Sequence, residues 1–164
     1  MPDFELELTR TRQDHRRYDL EGAGSLRLGG WLKGGATIEA GDVLLEVRGR
    51  GILRRTTEAT DHTGALVGSY GPEGWKRGGP LWWEGRELAL KPSSAWRERY
   101  ALLDDGRELA LLDGKGWGKR PVRIRLTDPA TEPALLLFAA YVVRQLAENA
   151  GSTAGATAAA TGSV

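Results

Sequence analysis

Residues Pro133 to Ala147 read PALLLFAAYVVRQLA, and Ala134 to Val143 are ten apolar residues in a row. Leu, Ala, Phe and Tyr without glycine or internal proline favour a helix here. At about 1.5 Å of rise per residue the run covers nearly three turns, so no side of such a helix is polar. A helix that is apolar all round either spans a membrane or lies enclosed by protein. A span needs roughly 18–20 such residues, and Arg144 and Gln145 end the run well short of that. The helix is therefore expected to be enclosed. Burying Leu135, Leu136, Leu137, Phe138, Tyr141, Val142 and Val143 at ~1.5–3 kcal/mol each contributes on the order of 10–20 kcal/mol before chain entropy is subtracted.

The enclosure must come from the residues before the helix, and those read as strands. Phe4, Leu6 and Leu8 alternate with Glu5, Glu7 and Thr9, the period of a strand with one buried face. Short apolar runs follow between glycine-rich turns: Arg16–Leu20, Ser25–Leu28, Ala36–Glu39, Val43–Val47, Ile52–Thr60 and Ala65–Tyr70. Pro80–Trp83, Glu87–Leu90, Tyr100–Leu103 and Glu108–Leu112 complete two similar hairpins, in which Gly-Arg-Glu-Leu-Ala-Leu occurs at Gly85 and again at Gly106. Asp105-Gly106 is a strong type I′ turn signal, and Glu84-Gly85 is expected to turn the same way. Val122, Ile124 and Leu126 alternate with Arg123 and Arg125 as the last strand, and Thr131 is the expected N-cap of the helix.

A flat sheet would leave one side of the helix wet. A sheet curled on itself covers every side and removes its own edges. The expected architecture is therefore mainly β: a closed or nearly closed antiparallel β-barrel of about 12 short strands wrapped around the C-terminal apolar helix. The barrel with its central helix is expected over residues 1–149. Residues 150–164, an Ala/Gly/Ser/Thr tail, are expected to be disordered.

Composition excludes several kinds of chemistry. The chain has 164 residues, 23 Lys+Arg, 22 Asp+Glu and no Cys. A net charge of +1 argues against a dedicated nucleic-acid binder, which usually shows a strongly basic stripe. The absence of Cys removes disulfides, thiolate metal sites and Cys nucleophiles. His15 and His62 are the only histidines, too few for a multi-His metal site. MPDFELELTR has acids where a signal peptide needs bases and then an apolar run, so the expected location is cytoplasmic, with a peripheral membrane association if lipid is the target.

The order of strands and then one apolar helix resembles the tubby C-terminal domain-like group, which includes tubby-like proteins, phospholipid scramblases and LURP-one-related proteins. The likeness is to a short bacterial-type member. It is carried by the hairpin Tyr100-Ala101-Leu102-Leu103-Asp104-Asp105-Gly106-Arg107-Glu108-Leu109-Ala110, the Trp117 turn, the strand Val122–Leu126, and Asp128-Pro129 leading into Leu135–Val143. It extends from about Phe4 to Ala147 by pattern and order. The resemblance implies a barrel around a helix and an association with lipids. No lipid- or calcium-binding position of that group has a counterpart here.

Enzyme signatures are not met. Gly118-Lys119 has Asp113 and Arg120 where a phosphate-binding loop needs glycine and Ser or Thr. Gly68-Ser69-Tyr70-Gly71 lacks the glycine two residues before the serine of a nucleophile elbow. No catalytic residue, cofactor or metal is assigned. The most suggestive stretch is Gly74-Trp75-Lys76-Arg77-Gly78-Gly79 leading to Trp82-Trp83. Tryptophan favours membrane–water interfaces, and cations add roughly 1 kcal/mol each near an anionic leaflet. Alternation sends one of Trp82 and Trp83 inward and the other outward. Arg123 and Arg125 share a strand face and, with Lys119 or Arg120, could make a phosphate-sized basic patch. Ordinary solvated loops and strand faces account for the same residues. The leading reading is a non-enzymatic domain that binds a membrane surface or lipid headgroup through its outer face, by way of Trp75, Lys76, Arg77, Trp82 or Trp83, Arg123 and Arg125. A protein–protein interaction module and an enzyme with an unfamiliar site are the alternatives.

Overall fold

A computed structural model describes residues 4–29, 34–51, 56–72, 78–93, 99–114 and 122–161, with helix side chains described to Asn149. Twelve strands precede one helix: β1 (Phe4–Arg10), β2 (Arg17–Leu20), β3 (Gly24–Leu28), β4 (Ala36–Ala40), β5 (Val43–Arg50), β6 (Thr56–Thr60), β7 (Leu66–Tyr70), β8 (Gly79–Trp83), β9 (Arg86–Pro92), β10 (Arg99–Asp104), β11 (Arg107–Asp113), β12 (Val122–Leu126) and α1 (Pro133–Thr161). Each strand pairs antiparallel with its sequence neighbour. β1 closes the barrel on β12, with Phe4 opposite Leu126 and Leu8 opposite Val122.

The helix is the core of that barrel. Every residue from Ala134 to Val143 is buried. Around it lie the inward faces of the strands, among them Leu8, Leu26, Ile38, Leu45, Leu81, Leu90, Leu102 and Ile124. In β4, β6, β9 and β12 the faces alternate as a half-buried sheet requires. β12 runs buried, exposed, buried, exposed, buried, with Arg123 and Arg125 outside.

Both hairpin turns take the expected form. Glu84 and Gly85 have φ of 47° and 79°, and Asp105 and Gly106 have 48° and 79°. Two consecutive positive φ values define the type I′ turn, whose twist matches that of the flanking strands. The repeated hexapeptide nevertheless faces two ways. In β9, Leu88 and Leu90 both point inward. Between β10 and β11 the register shifts, with Leu102 opposite Ala110 but Leu103 opposite Glu108, so Leu109 is the extra residue of β11, Ala110 and Leu112 point inward, and Leu111 lies outside, opposite Arg125. One extra residue in a ladder moves every later side chain to the other face.

Two boundaries differ from the sequence reading. The first helical hydrogen bond runs from Leu136 N–H to Glu132 C=O at 3.1 Å, which makes Glu132 the N-cap and Pro133 the first helical residue. Thr131 instead donates its hydroxyl to the Asp128 carbonyl at 2.7 Å. The backbone of α1 also stays helical to Thr161, past the Asn149 where composition placed the end. The alanines among residues 150–161 carry helix propensity that offsets their glycine neighbours.

Candidate functional site

A closed antiparallel barrel puts alternate connections at opposite ends. Here the two sets differ in length and in charge. The connections after β2, β4, β8 and β10 have two or three residues, whereas those after β6 and β12 have five and six. Together these connections carry Glu21, Asp42, Asp61, Glu84, Asp105, Asp128 and Glu132, and no Lys or Arg. The connections after β1, β3, β5, β7, β9 and β11 are longer on the whole, with five to eight residues. They carry Arg12, Arg16, Lys33, Arg54, Arg55, Lys76, Arg77, Arg97, Lys115, Lys119 and Arg120 against Asp14, Glu73 and Glu98. Trp31, Trp75, Trp96 and Trp117 belong to four of these long connections, one each, out of 6 Trp in the chain. The near-neutral total therefore hides a charge separated along the barrel axis. The helix starts at the acidic end, where Asp128 and Glu132 suit the positive end of its macrodipole.

The acidic end is tied to the helix start. Trp83 Nε1–H donates to Glu132 Oε2 at 3.0 Å, and Arg86 Nη2 lies 3.6 Å from Glu132 Oε1. Arg107 Nη1 pairs with Asp128 Oδ2 at 3.1 Å. The Trp83 ring tilts at 34° against Phe138 with centroids 5.6 Å apart.

At the basic end the core finishes in a polar layer. Thr57 donates its hydroxyl to Gln145 Oε1 at 3.0 Å, and Gln145 Nε2 donates to the Tyr141 hydroxyl at 3.1 Å. The Tyr141 hydroxyl thus has a partner inside the barrel. Tyr18, near the start of β2, Tyr70, at the end of β7, and Tyr100, near the start of β10, point inward at the same end. All 4 tyrosines of the chain thus lie at the end of the barrel from which the longer connections leave. Burial holds the Tyr70 hydroxyl above its ordinary pKa of 10, and nearby Tyr100 adds to the effect. Burial likewise raises Tyr141.

The sequence-predicted contact residues divide accordingly. Trp75, Lys76 and Arg77 lie outside the described residues; the β7–β8 connection that holds them belongs to the basic end. Trp83 is enclosed at 1% exposure and is withdrawn from the contact set, because its ring fills the core and its N–H is bonded to Glu132. Trp82 is the outward member, at 47% exposure. It sits one residue from the acidic end, so the strand separates it from the Trp75 connection instead of grouping the two. Arg123 and Arg125 are outside, where Arg123 Nε lies 3.3 Å from Glu5 Oε1 and Arg125 Nη2 lies 3.7 Å from Glu108 Oε1. With Arg99 and Leu111 they border a depression of about 200 Å³ that Glu5 and Asp113 also line. The carboxylates there offset most of the basic charge. Lys119 and Arg120, the other expected members of that patch, lie outside the described residues.

Sequence reasoning missed the gathering of the tyrosines at one end and the grouping of the longer connections. The signal was the alternation of basic and acidic connections, which becomes spatial only when the ring closes. Among the described residues no group of three or more His, Asp or Glu could hold a metal ion, and no helix is long and apolar enough to cross a membrane. Compared with family models, curated proteins and solved structures, the chain matches none.

Proposed function

We propose that this protein is a non-enzymatic barrel that docks end-on onto an anionic membrane surface, with the long connections toward the lipid. What supports this reading is that four Trp and eleven of the Lys and Arg residues belong, in sequence, to the connections that leave one end of the barrel. An amphipathic indole partitions to the headgroup level, and clustered cations are drawn to an anionic leaflet within a Debye length of it. The acidic end faces away, so one orientation is favoured over its reverse. The contact is the end of the barrel from which the β7–β8 connection, with Trp75, Lys76 and Arg77 in its sequence, leaves, rather than the outer wall that bears Trp82, Arg123 and Arg125. Kinship with the tubby-like group is part of the same proposal.

Flotation with phosphatidylcholine vesicles, with and without phosphatidylserine, tests it. Binding is expected only with phosphatidylserine and at low salt, and Trp75→Ala with Lys76→Glu weakens it. Retention of a single-stranded RNA with no vesicle binding would sink the reading, as would vesicle binding that the double substitution leaves unchanged.

A further inference from the structure

The outer wall beside the acidic end carries an open groove of about 700 Å³ across β1 to β4. Its floor holds a row of register partners: Thr9 opposite Asp19, Asp19 opposite Ser25, and Ser25 opposite Glu39. Leu20 and Leu26, the next residues of β2 and β3, are buried in the core, so Asp19 and Ser25 face the outside. Ser25 is nonetheless only 7% exposed. Among the described residues its hydroxyl makes no hydrogen bond, although it lines the groove. Thr57, the other buried polar residue, is bonded to Gln145. Buried hydroxyls are nearly always paired, because an unpaired one loses water and gains nothing. An acidic wall alone is ordinary solvated surface; the sheltered hydroxyl in the middle of this one is what points to a ligand.

The neighbours of Ser25 define that ligand. Asp19, Glu21 and Glu39 line the groove against a single cation, Arg17, whose Nε–H donates to Asp19 Oδ1 at 2.9 Å. Asp19 and Glu39 stand two strands apart, about 10 Å between backbones, with Ser25 between them. Among the described residues no group of three carboxylates could hold a metal ion. Carboxylate, hydroxyl and carboxylate on three adjacent strands are three acceptors in a row. A primary ammonium carries three N–H donors and no acceptor, so one such group can serve all three. A planar guanidinium fork matches one carboxylate instead.

We propose that this groove binds an organic cation through a primary ammonium seated over Ser25, between the carboxylates of Asp19 and Glu39. Its volume is in the range of about 300–1,000 Å³ that small-ligand sites occupy. The rim stays open at Gly22 and Gly41, where a Cβ would meet nothing within 4 Å. The groove lies on the wall near the acidic end, so this inference stands apart from the end-on membrane reading. The ammonium could belong to a free polyamine or to a lysine side chain, and the test separates the two.

The full chain is titrated calorimetrically with spermidine, and separately with a glycine peptide carrying lysine and with the same peptide acetylated at the lysine. Backbone amide NMR signals locate the contact. A saturable site is expected, with the signals of Ser25 and Glu39 moving. Ser25→Ala and Glu39→Gln should each lower the affinity about tenfold, equivalent to about 1.4 kcal/mol. Asp105→Asn removes a carboxylate of the acidic end that does not line the groove, and should leave the affinity unchanged. Binding of spermidine alone assigns the site to a free polyamine. Binding of the lysine peptide alone, lost on acetylation, assigns it to a lysine side chain, and binding of both assigns it to the ammonium from either source. The inference is overturned if neither spermidine nor the lysine peptide binds, or if Ser25→Ala and Glu39→Gln bind as the wild type does. It is overturned equally if Asp105→Asn weakens binding as much as Glu39→Gln, since diffuse charge would then account for it. Should Ser25→Ala not fold, the exposed Glu39 decides through the Glu39→Gln and Asp105→Asn comparison.

Discussion

An alanine scan of four consecutive helix residues distinguishes an enclosed helix from an amphipathic one. Leu135, Leu136, Leu137 and Phe138 are each at most 1% exposed, although successive residues point about 100° apart around the axis. On a helix with one buried face, at least one of the four would face solvent. Here each Leu→Ala should cost about 2–5 kcal/mol and Phe138→Ala about 3–5, because transfer energy and an unfilled cavity add. Phe138 also stacks on the Trp83 ring, which places it toward the upper end. Domains of this size are stable by roughly 5–15 kcal/mol, so each variant gives up a large share of the total. At about 2–4 °C per kcal/mol, a loss near 3 kcal/mol lowers the melting temperature by about 6–12 °C. Urea unfolding followed by tryptophan fluorescence measures the four values with the same m-value. A profile that dips below about 1 kcal/mol at any of the four positions, with the period of a helix face, refutes the enclosed helix.

Three further outcomes follow from particular contacts. Gly68→Ala should cost about 1–3 kcal/mol, because a Cβ there would sit 2.6 and 2.9 Å from ring carbons of Trp83, a ring already fixed by Glu132 and Phe138; an unfolding midpoint equal to the wild type's would contradict it. Thr57→Val and Gln145→Leu should be coupled by about 1 kcal/mol in a double-mutant cycle, since each alone strands the other's polar group in a half-buried layer; additive losses would show that the bond contributes nothing. Stability should also fall above pH 10. Burial raises the folded pKa of Tyr70 and Tyr141 above the ordinary 10 that the unfolded chain recovers, so the contribution is complete below pH 10 and is lost as pH rises past it. Urea midpoints measured from about pH 9 to about pH 11 should drop less in the Tyr70→Phe, Tyr141→Phe double variant.

The separated charge also explains why total charge is a poor guide to this protein. A net charge of +1 is the sum of an acidic end and a basic end held apart by the length of the barrel. At physiological salt the Debye length is about 8 Å, shorter than a strand of five or six residues. A partner at one end therefore senses that end's charge and little of the other's.

The sequence by itself determined the elements. Ten apolar residues without a polar side could only be an enclosed helix, the alternation in β1 and β12 could only be strands with one face inward, and Asp105-Gly106 could only be a tight turn. It also settled that just one of Trp82 and Trp83 would face out, because a pleated strand allows nothing else. Only the tertiary structure decided what those elements bring together. A register shift between Leu102 and Leu103 turned Leu111 outward in one of two identical hexapeptides. The extent of β8 separated Trp82 from the Trp75 connection, and closure of β1 on β12 gathered Tyr18, Tyr70, Tyr100 and Tyr141 at one end. Local periodicity arises from backbone geometry between near neighbours, so it can be read from a short window. The end of the barrel to which a residue belongs depends on the pairing of every strand around the ring, and no short window contains that.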